Sequence, residues 1–280
     1  AVAAIAGQVQ AVETIRAAKA TPVTGNNADK TPLSLAIEHK CSGVVKVLAE
    51  LPDEGGETTL ALAVRNDDLD LVKKLVSANV SVDTKNQEGK TPLLLAMEKG
   101  DTATVKILAD STDSNGDTAV SRAARDGDID VLKKLIRAKA SLSTQNAAGD
   151  TPLSIAAAAG QAEAMKVLIE VGLSITATNH AGDTPLSVAA AAGKVDTVDA
   201  LLAAKANIEV KNNAGNTPFL TAANGGHVEV MKLLMAANAN MAVSNSSGDT
   251  PLHLAANGNY IAAVKLLLDK NASIEAKNNE

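Results

Sequence analysis

Gly149-Asp-Thr-Pro-Leu153 reads GDTPL, and the same five letters return at 182–186 and 248–252. Close variants stand elsewhere, as GNTPF at 215–219, GKTPL at 89–93 and DKTPL at 29–33. Counted from the threonine, Thr151, Thr184, Thr217 and Thr250 are spaced by 33 residues, as are Thr58 and Thr91, and Thr118 and Thr151. A fixed period of this length is the signature of stacked supersecondary units, each too small to bury its own apolar face.

The residues inside the period specify what one unit is. Thr-Pro opens a helix, because the threonine oxygen can accept from orphan amides and proline suits the first helical position. The fifth residue after each threonine is alanine (Ala36, Ala63, Ala96, Ala123, Ala156, Ala189, Ala222, Ala255), small enough for a neighbouring helix to come close. The ninth is glycine at Gly100, Gly127, Gly160, Gly193 and Gly226, as expected where a helix ends in a left-handed residue. Asn259 tolerates that conformation, whereas Lys40 and Asp67 fit it less easily. A second helix follows, with leucine at the seventeenth position of every unit from Leu48 to Leu267 and an apolar residue three before it. That spacing makes one buried helical stripe. Alternating, Asn/Ala/Ser-rich stretches such as 174–182 then suit a short hairpin with its tip near Asn179–Gly182.

This G-x-TPL opening, the alanine and glycine after it, the VKLLL-type second helix and the 33-residue period resemble the ankyrin repeat. The resemblance covers the whole chain. It implies an all-α solenoid of stacked helix pairs with short β-hairpin loops, in units near 1–30, 31–57, 58–90, 91–117, 118–150, 151–183, 184–216, 217–249 and 250–280. Residues 1–30 fit as a unit lacking its opening, with Ala3, Gly7 and Ile15 at the alanine, glycine and leucine positions. Nine helix pairs are therefore expected.

Two intervals are short. Thr31 to Thr58 and Thr91 to Thr118 are each 27 residues, with ELPDEGGE (50–57) and DSTDSNGD (110–117) where a hairpin would be. The openings that follow, Thr58-Thr59 and Thr118-Ala119, also lose their proline. Two hairpins are expected to be missing and the row of hairpins broken twice. The acids of these loops, among them Glu57 and Asp117, read as solvated surface charge.

Composition limits the function. The 280 residues carry a net charge of −6, which argues against a nucleic-acid or anionic-membrane surface. A single cysteine, Cys41, excludes an internal disulfide framework and makes a reducing, intracellular and cytoplasmic setting the expectation. No apolar run is long enough to insert in a bilayer. Phe219 and Tyr260 are the only aromatics, so the helices pack through alanine and leucine. Position by position, Ala276–Glu280 parallels Val210–Ala214, and a further Gly-x-Thr opening is expected beyond Glu280.

Catalytic, cofactor and metal constellations do not assemble. Asp126, Asp128 and Asp130 open like a calcium loop, but its glycine and final glutamate positions are Val131 and Arg137. Ala192-Gly193-Lys194 lacks the upstream glycine and the following Ser or Thr of a phosphate loop. His39, His180, His227 and His253 are scattered through distant units, and His253 in TPLH matches the family histidine that supports the threonine. Arg122 occupies a position that is mostly Leu, Ile or Val. It either lays its stem along apolar surface, pairs with a buried acid, or belongs to a partner site.

What the resemblance implies about function is protein binding on the concave side. The seventh and eighth residues after each threonine face that side: Glu38, His39, Arg65, Asn66, Glu98, Lys99, Arg125 and Asp126, with tips adding Gln87, Glu88 and His180. Later units place Ala158, Ala159, Ala191 and Ala192 there instead. Residues 1–140 hold 18 basic and 20 acidic residues, which leaves 8 and 12 for the remainder of the 26 and 32. The charged first half is thus the expected location of a specific site, with Arg65 and Arg125 as anchors. The expected function is a non-catalytic interaction scaffold with a protein partner, no cofactor and no metal. Two alternatives stand beside it: a mechanical spacer within a larger membrane or cytoskeletal protein, and a regulatory array attached to an enzyme outside these residues.

Overall fold

The computed structural model describes residues 31–53 and 56–279. Among them are sixteen helices and no strand. They make eight helix pairs, and the ninth expected pair, over residues 1–30, lies outside the described residues. The described residues fall into two compact units, one within residues 31–113 with 137–140 and one within residues 114–136 with 141–279.

The first unit contains α1 (Pro32–Glu38), α2 (Ser42–Ala49), α3 (Thr59–Arg65), α4 (Leu69–Ser77), α5 (Pro92–Lys99) and α6 (Thr102–Asp110). Each odd helix packs on the even helix after it, α3 packs on α5, and α4 touches both α2 and α6. The second unit repeats the scheme with α7 (Ala119–Asp126), α8 (Ile129–Arg137), α9 (Pro152–Ala159), α10 (Ala162–Glu170), α11 (Pro185–Ala191), α12 (Val195–Ala203), α13 (Pro218–Asn224), α14 (Val228–Ala236), α15 (Pro251–Asn257) and α16 (Ile261–Asp269). There the first helices α7, α9, α11, α13 and α15 stack in one layer, and α10, α12, α14 and α16 in another.

Local chemistry explains why each helix begins and ends where it does. All eight threonines accept a backbone amide three residues on, from Ser34 N–H at Thr31 to His253 N–H at Thr250. The cap persists at Thr58 and Thr118, where proline is missing, so the threonine and not the proline sets the start. At Thr250 the His253 Nδ1 also accepts the threonine backbone N–H at 3.3 Å, closing a capping box. Every first helix that ends in the left-handed region does so at the ninth position. Lys40, Asp67 and Asn259 adopt φ of +54°, +57° and +56° there, as the glycines do in other repeats. The repeated alanines and leucines are buried in every repeat. Each buried leucine contributes roughly 1.5–3 kcal/mol of apolar transfer, and the alanine allows the close helix approach that buries it.

The loops correct one expectation. They are turns without strand ladders among the described residues, closed by bonds such as Asn146 N–H to Asp150 O (3.0 Å) and Gly149 N–H to Asn146 O (2.9 Å). The short loop 50–57 keeps this turn, with Asp53 N–H to Glu57 O at 2.9 Å and Gly56 N–H to Asp53 O at 3.0 Å. The other short loop keeps it too: Gly116 has the turn's positive φ, and Asn115 O accepts Ala147 N–H at 2.9 Å. That bond has the same form as His180 N–H to Ala148 O and Asn213 N–H to Ala181 O between later turns. The six missing residues are therefore the lead-in, not the tip. In repeats with a long loop the second helix exits through a second left-handed residue, such as Asn79, Lys139, Lys205, Asn238 or Asn271. Pro52 and Thr112 stand at that place in the short loops and have no positive φ.

Candidate protein-interaction site

The residue seventh after the threonine closes the last turn of the first helix, and the eighth is its cap or immediate neighbour. In the first unit Glu38, His39, Arg65, Asn66, Glu98 and Lys99 are all exposed at these helix ends. Gln87 and Glu88 are exposed on the turn between α4 and α5. In the second unit Arg125 and Asp126 are exposed at the end of α7, and His180 on the turn between α10 and α11.

Side chains on the same chain engage most of these charges. Arg65 Nη2 lies 2.6 Å from Glu57 Oε1 and 3.9 Å from Glu88 Oε1. Glu57 is not solvated: its side chain is 13% exposed and it also accepts Asn86 Nδ2 at 3.1 Å. One repeat on, the signs reverse. Lys90 Nζ donates to Glu98 at 2.9 Å and lies 3.3 Å from Glu88. The Glu98 and then the Glu88 carboxylate hold its ammonium above the ordinary lysine range. Lys99 reaches back to the preceding repeat, pairing with Asp67 and donating to the carbonyls of Arg65 (2.8 Å) and Val64 (3.2 Å). A lysine at the open carbonyl end of α3 complements the helix dipole.

The same pairing in the second unit is more deeply set. Arg125 Nη2 bonds Asp117, whose side chain is only 1% exposed, while Arg125 itself is 42% exposed. Asp117 also accepts Asn146 Nδ2 at 3.0 Å, and its carbonyl accepts Arg122 Nη1 at 2.9 Å. Arg122 is thus half-buried and hydrogen-bonded to the backbone of the turn before its helix. The charged residue just before the threonine thus joins an opposite charge at the seventh residue after it in three successive repeats: Glu57 with Arg65, Lys90 with Glu98, Asp117 with Arg125. The sequence reading missed this pairing, although the opposite signs eight residues apart were visible.

A second relation recurs more widely. In five turns the opening asparagine donates to the acid of the previous repeat: Asn86 to Glu57 and Asn146 to Asp117 as above, then Asn179 Nδ2 to Asp150 (2.9 Å), Asn212 to Asp183 (2.8 Å) and Asn278 to Asp249 (2.8 Å). Close approach of successive turns also explains a glycine. A Cβ on Gly149 would lie 2.6 Å from His180 N, so only glycine fits.

Among the described residues, no three His, Cys, Asp or Glu side chains converge as metal ligands, and no helix is long and apolar enough to cross a membrane. Cys41 Sγ lies 3.6 Å from the His39 carbonyl, not from its ring.

The sequence profile of the family described as ankyrin repeats (3 copies) matches residues 60–146, 120–212 and 188–278. An ankyrin repeat-containing protein of Arabidopsis thaliana is 37% identical over an alignment of 101 residues, covering 31% of this chain and 19% of that protein. The chain thus spans about a fifth of the length of this relative. Capped helix pairs, left-handed helix exits and linked turns, repeated through the profile matches, show that the chain belongs to the ankyrin-repeat family.

Proposed function

We propose that the chain is a non-catalytic protein–protein interaction scaffold of a reducing, cytoplasmic setting, the role ankyrin repeats generally serve. The partner would engage first-helix ends and turns, at Glu38, His39, Arg65, Asn66, Gln87, Glu88, Glu98 and Lys99 in the first unit. In the second unit it would engage Arg125, Asp126 and His180. The observation that carries this is the fixed presentation of charge: Arg65 is held by Glu57 with Glu88 3.9 Å away, and Arg125 by Asp117, while 42% of each arginine side chain stays exposed. A guanidinium is a planar fork of five donors, a group suited to a partner's carboxylate. Holding it beforehand lowers the ordering cost of binding.

The repeats opened by Thr151 and Thr184 support the spacer reading for their own part of the chain, since Ala158, Ala159, Ala191 and Ala192 offer no polar contact there. The test is affinity capture with the whole chain, followed by titration of the captured partner against Arg65→Ala/Arg125→Ala. About tenfold weaker binding or more is expected, with Ala158→Ser/Ala191→Ser unchanged. Equal affinity of the arginine variant, at unchanged helicity, would defeat the assignment.

A further inference from the structure

The chain of asparagine-to-acid links has one fault in the second unit. At the place held by Asp117, Asp150, Asp183 and Asp249, the repeat opened by Thr217 carries Asn216. Its Oδ1 is buried and has no hydrogen-bond partner among the described residues. Asn245, the donor that the pattern would supply, is set in its turn as Asn179 and Asn212 are, its Oδ1 accepting Ser247 N–H and Asp249 N–H at 3.0 and 2.9 Å, but its Nδ2 makes no bond to Asn216. A charge-assisted bond present at each neighbouring joint is therefore replaced by an unmade bond. A buried acceptor without a donor costs more than its partner would have contributed.

We infer that the joint between turn 212–216 and turn 245–249 is a built-in hinge, at which the helix pair α15–α16 and the turn before it separate from the array as one piece. Surface links do cross it: Glu209 accepts Asn240 N–H at 2.7 Å, and Lys211 Nζ donates to the Ser244 carbonyl at 3.1 Å. Exposed side-chain links also cross the neighbouring joints, Asn213 Nδ2 to the His180 carbonyl and Asn279 Nδ2 to the Ser246 carbonyl. Two links made at both neighbouring joints are therefore missing at this one: the asparagine-to-aspartate bond, and the exposed bond that Asn213 and Asn279 make to the carbonyl 33 residues before them. An open groove of about 560 Å³ lies along the same region, between the loop residues Met241 and Ala242 before the turn and Leu252, Leu267, Ala272 and Ala276 of the piece beyond it. Inside the piece the next link is intact, from Asn278 to Asp249, beside the rung from Asn279 N–H to Ser247 O.

Hydrogen exchange on the folded full chain reads the joint directly, because homologous amides bridge successive turns. Ser246 N–H bridges the hinge to Ala214 O, Asn213 N–H bridges the turn before it, and Asn279 N–H lies inside the moving piece. Ser246 should exchange on the order of tenfold faster than Asn213, and faster than Asn279 although Asn279 is nearer the end. Fraying from the end gives the opposite order of Ser246 and Asn279. Asn216→Asp should slow Ser246 about tenfold and leave Asn213 unchanged. The reciprocal Asp183→Asn, which moves the fault one joint back, should speed Asn213. Exchange that rises smoothly from Asn213 through Ser246 to Asn279, or a Ser246 rate indifferent to Asn216→Asp with Asn213 indifferent to Asp183→Asn, would overturn the hinge.

Discussion

Asp117 and Asp150 occupy the same place in consecutive repeats of the second unit, one residue before the capping threonine, yet they are held differently. Asp150 accepts Asn179 Nδ2 and has Ala158 at the position of an arginine. Asp117 accepts Asn146 Nδ2 and also binds Arg125, with its side chain almost wholly buried. The asparagine link is thus the framework common to long and short repeats, and the ion pair is an addition found only where the seventh residue is charged. An acid in this position is structural first. What differs between the halves of the chain is whether a cation is fixed beside it and shown to solvent.

Removing each acid separates the two contributions. Asp117→Ala should have the largest effect, lowering unfolding free energy by about 3 kcal/mol, because it strips a buried acceptor from both Asn146 and Arg125. Asp150→Ala should cost about 2 kcal/mol, the loss of one charge-assisted bond. Chemical denaturation of both variants checks the order, and equal losses would mean that Arg125 adds nothing to the framework. The smallest effect is at a helix cap. Asp101 accepts from Ala103 and Thr104 N–H at the start of α6, and the bonds from Thr104 hold its carboxyl below the usual aspartate range. Asp101→Ala should cost about 1 kcal/mol at neutral pH. Since the folded pKa is depressed, this stabilisation is fully present above the unfolded value of about 4 and disappears as pH falls through the folded value. The gap between variant and parent should therefore narrow on acidification, whereas a gap constant from pH 7 to pH 2 would contradict the cap's charge.

Most of the fold was legible because its determinants are local and repeat at a fixed spacing. Threonine caps, buried alanines and leucines, and ninth-position exits act within one or two turns of chain, so their period survives in the letters. The left-handed exits of the second helices were less legible, since Asn79, Lys139 and Lys205 share no residue type. Lys40 and Asp67 show why: helix termination imposes the conformation whatever the side chain, and the sequence only modulates its cost. The short loops carry no strand, as expected, but the turn that they keep was not legible. Six residues fewer suggested a lost hairpin, but the turn is closed by Asp53 or Gly116 and their neighbours, which the deletion spares. At the candidate site, exposure of the helix ends could be read from position. Their internal pairing could not be read from composition alone, because Glu57 and Asp117 look like loop acids until the turn brings them under Arg65 and Arg125.

The link between successive turns also makes the repeats interchangeable parts. An acid before the threonine is answered by asparagine in the next turn, as at Glu57 and Asn86, or Asp183 and Asn212. Where lysine stands before the threonine, at Lys30 and Lys90, the next turn opens with aspartate instead, Asp53 and Asp113. A duplicated or transplanted repeat therefore fits wherever its first acid meets an asparagine, whatever its loop length. A lysine-opened repeat spliced ahead of an asparagine turn would mismatch.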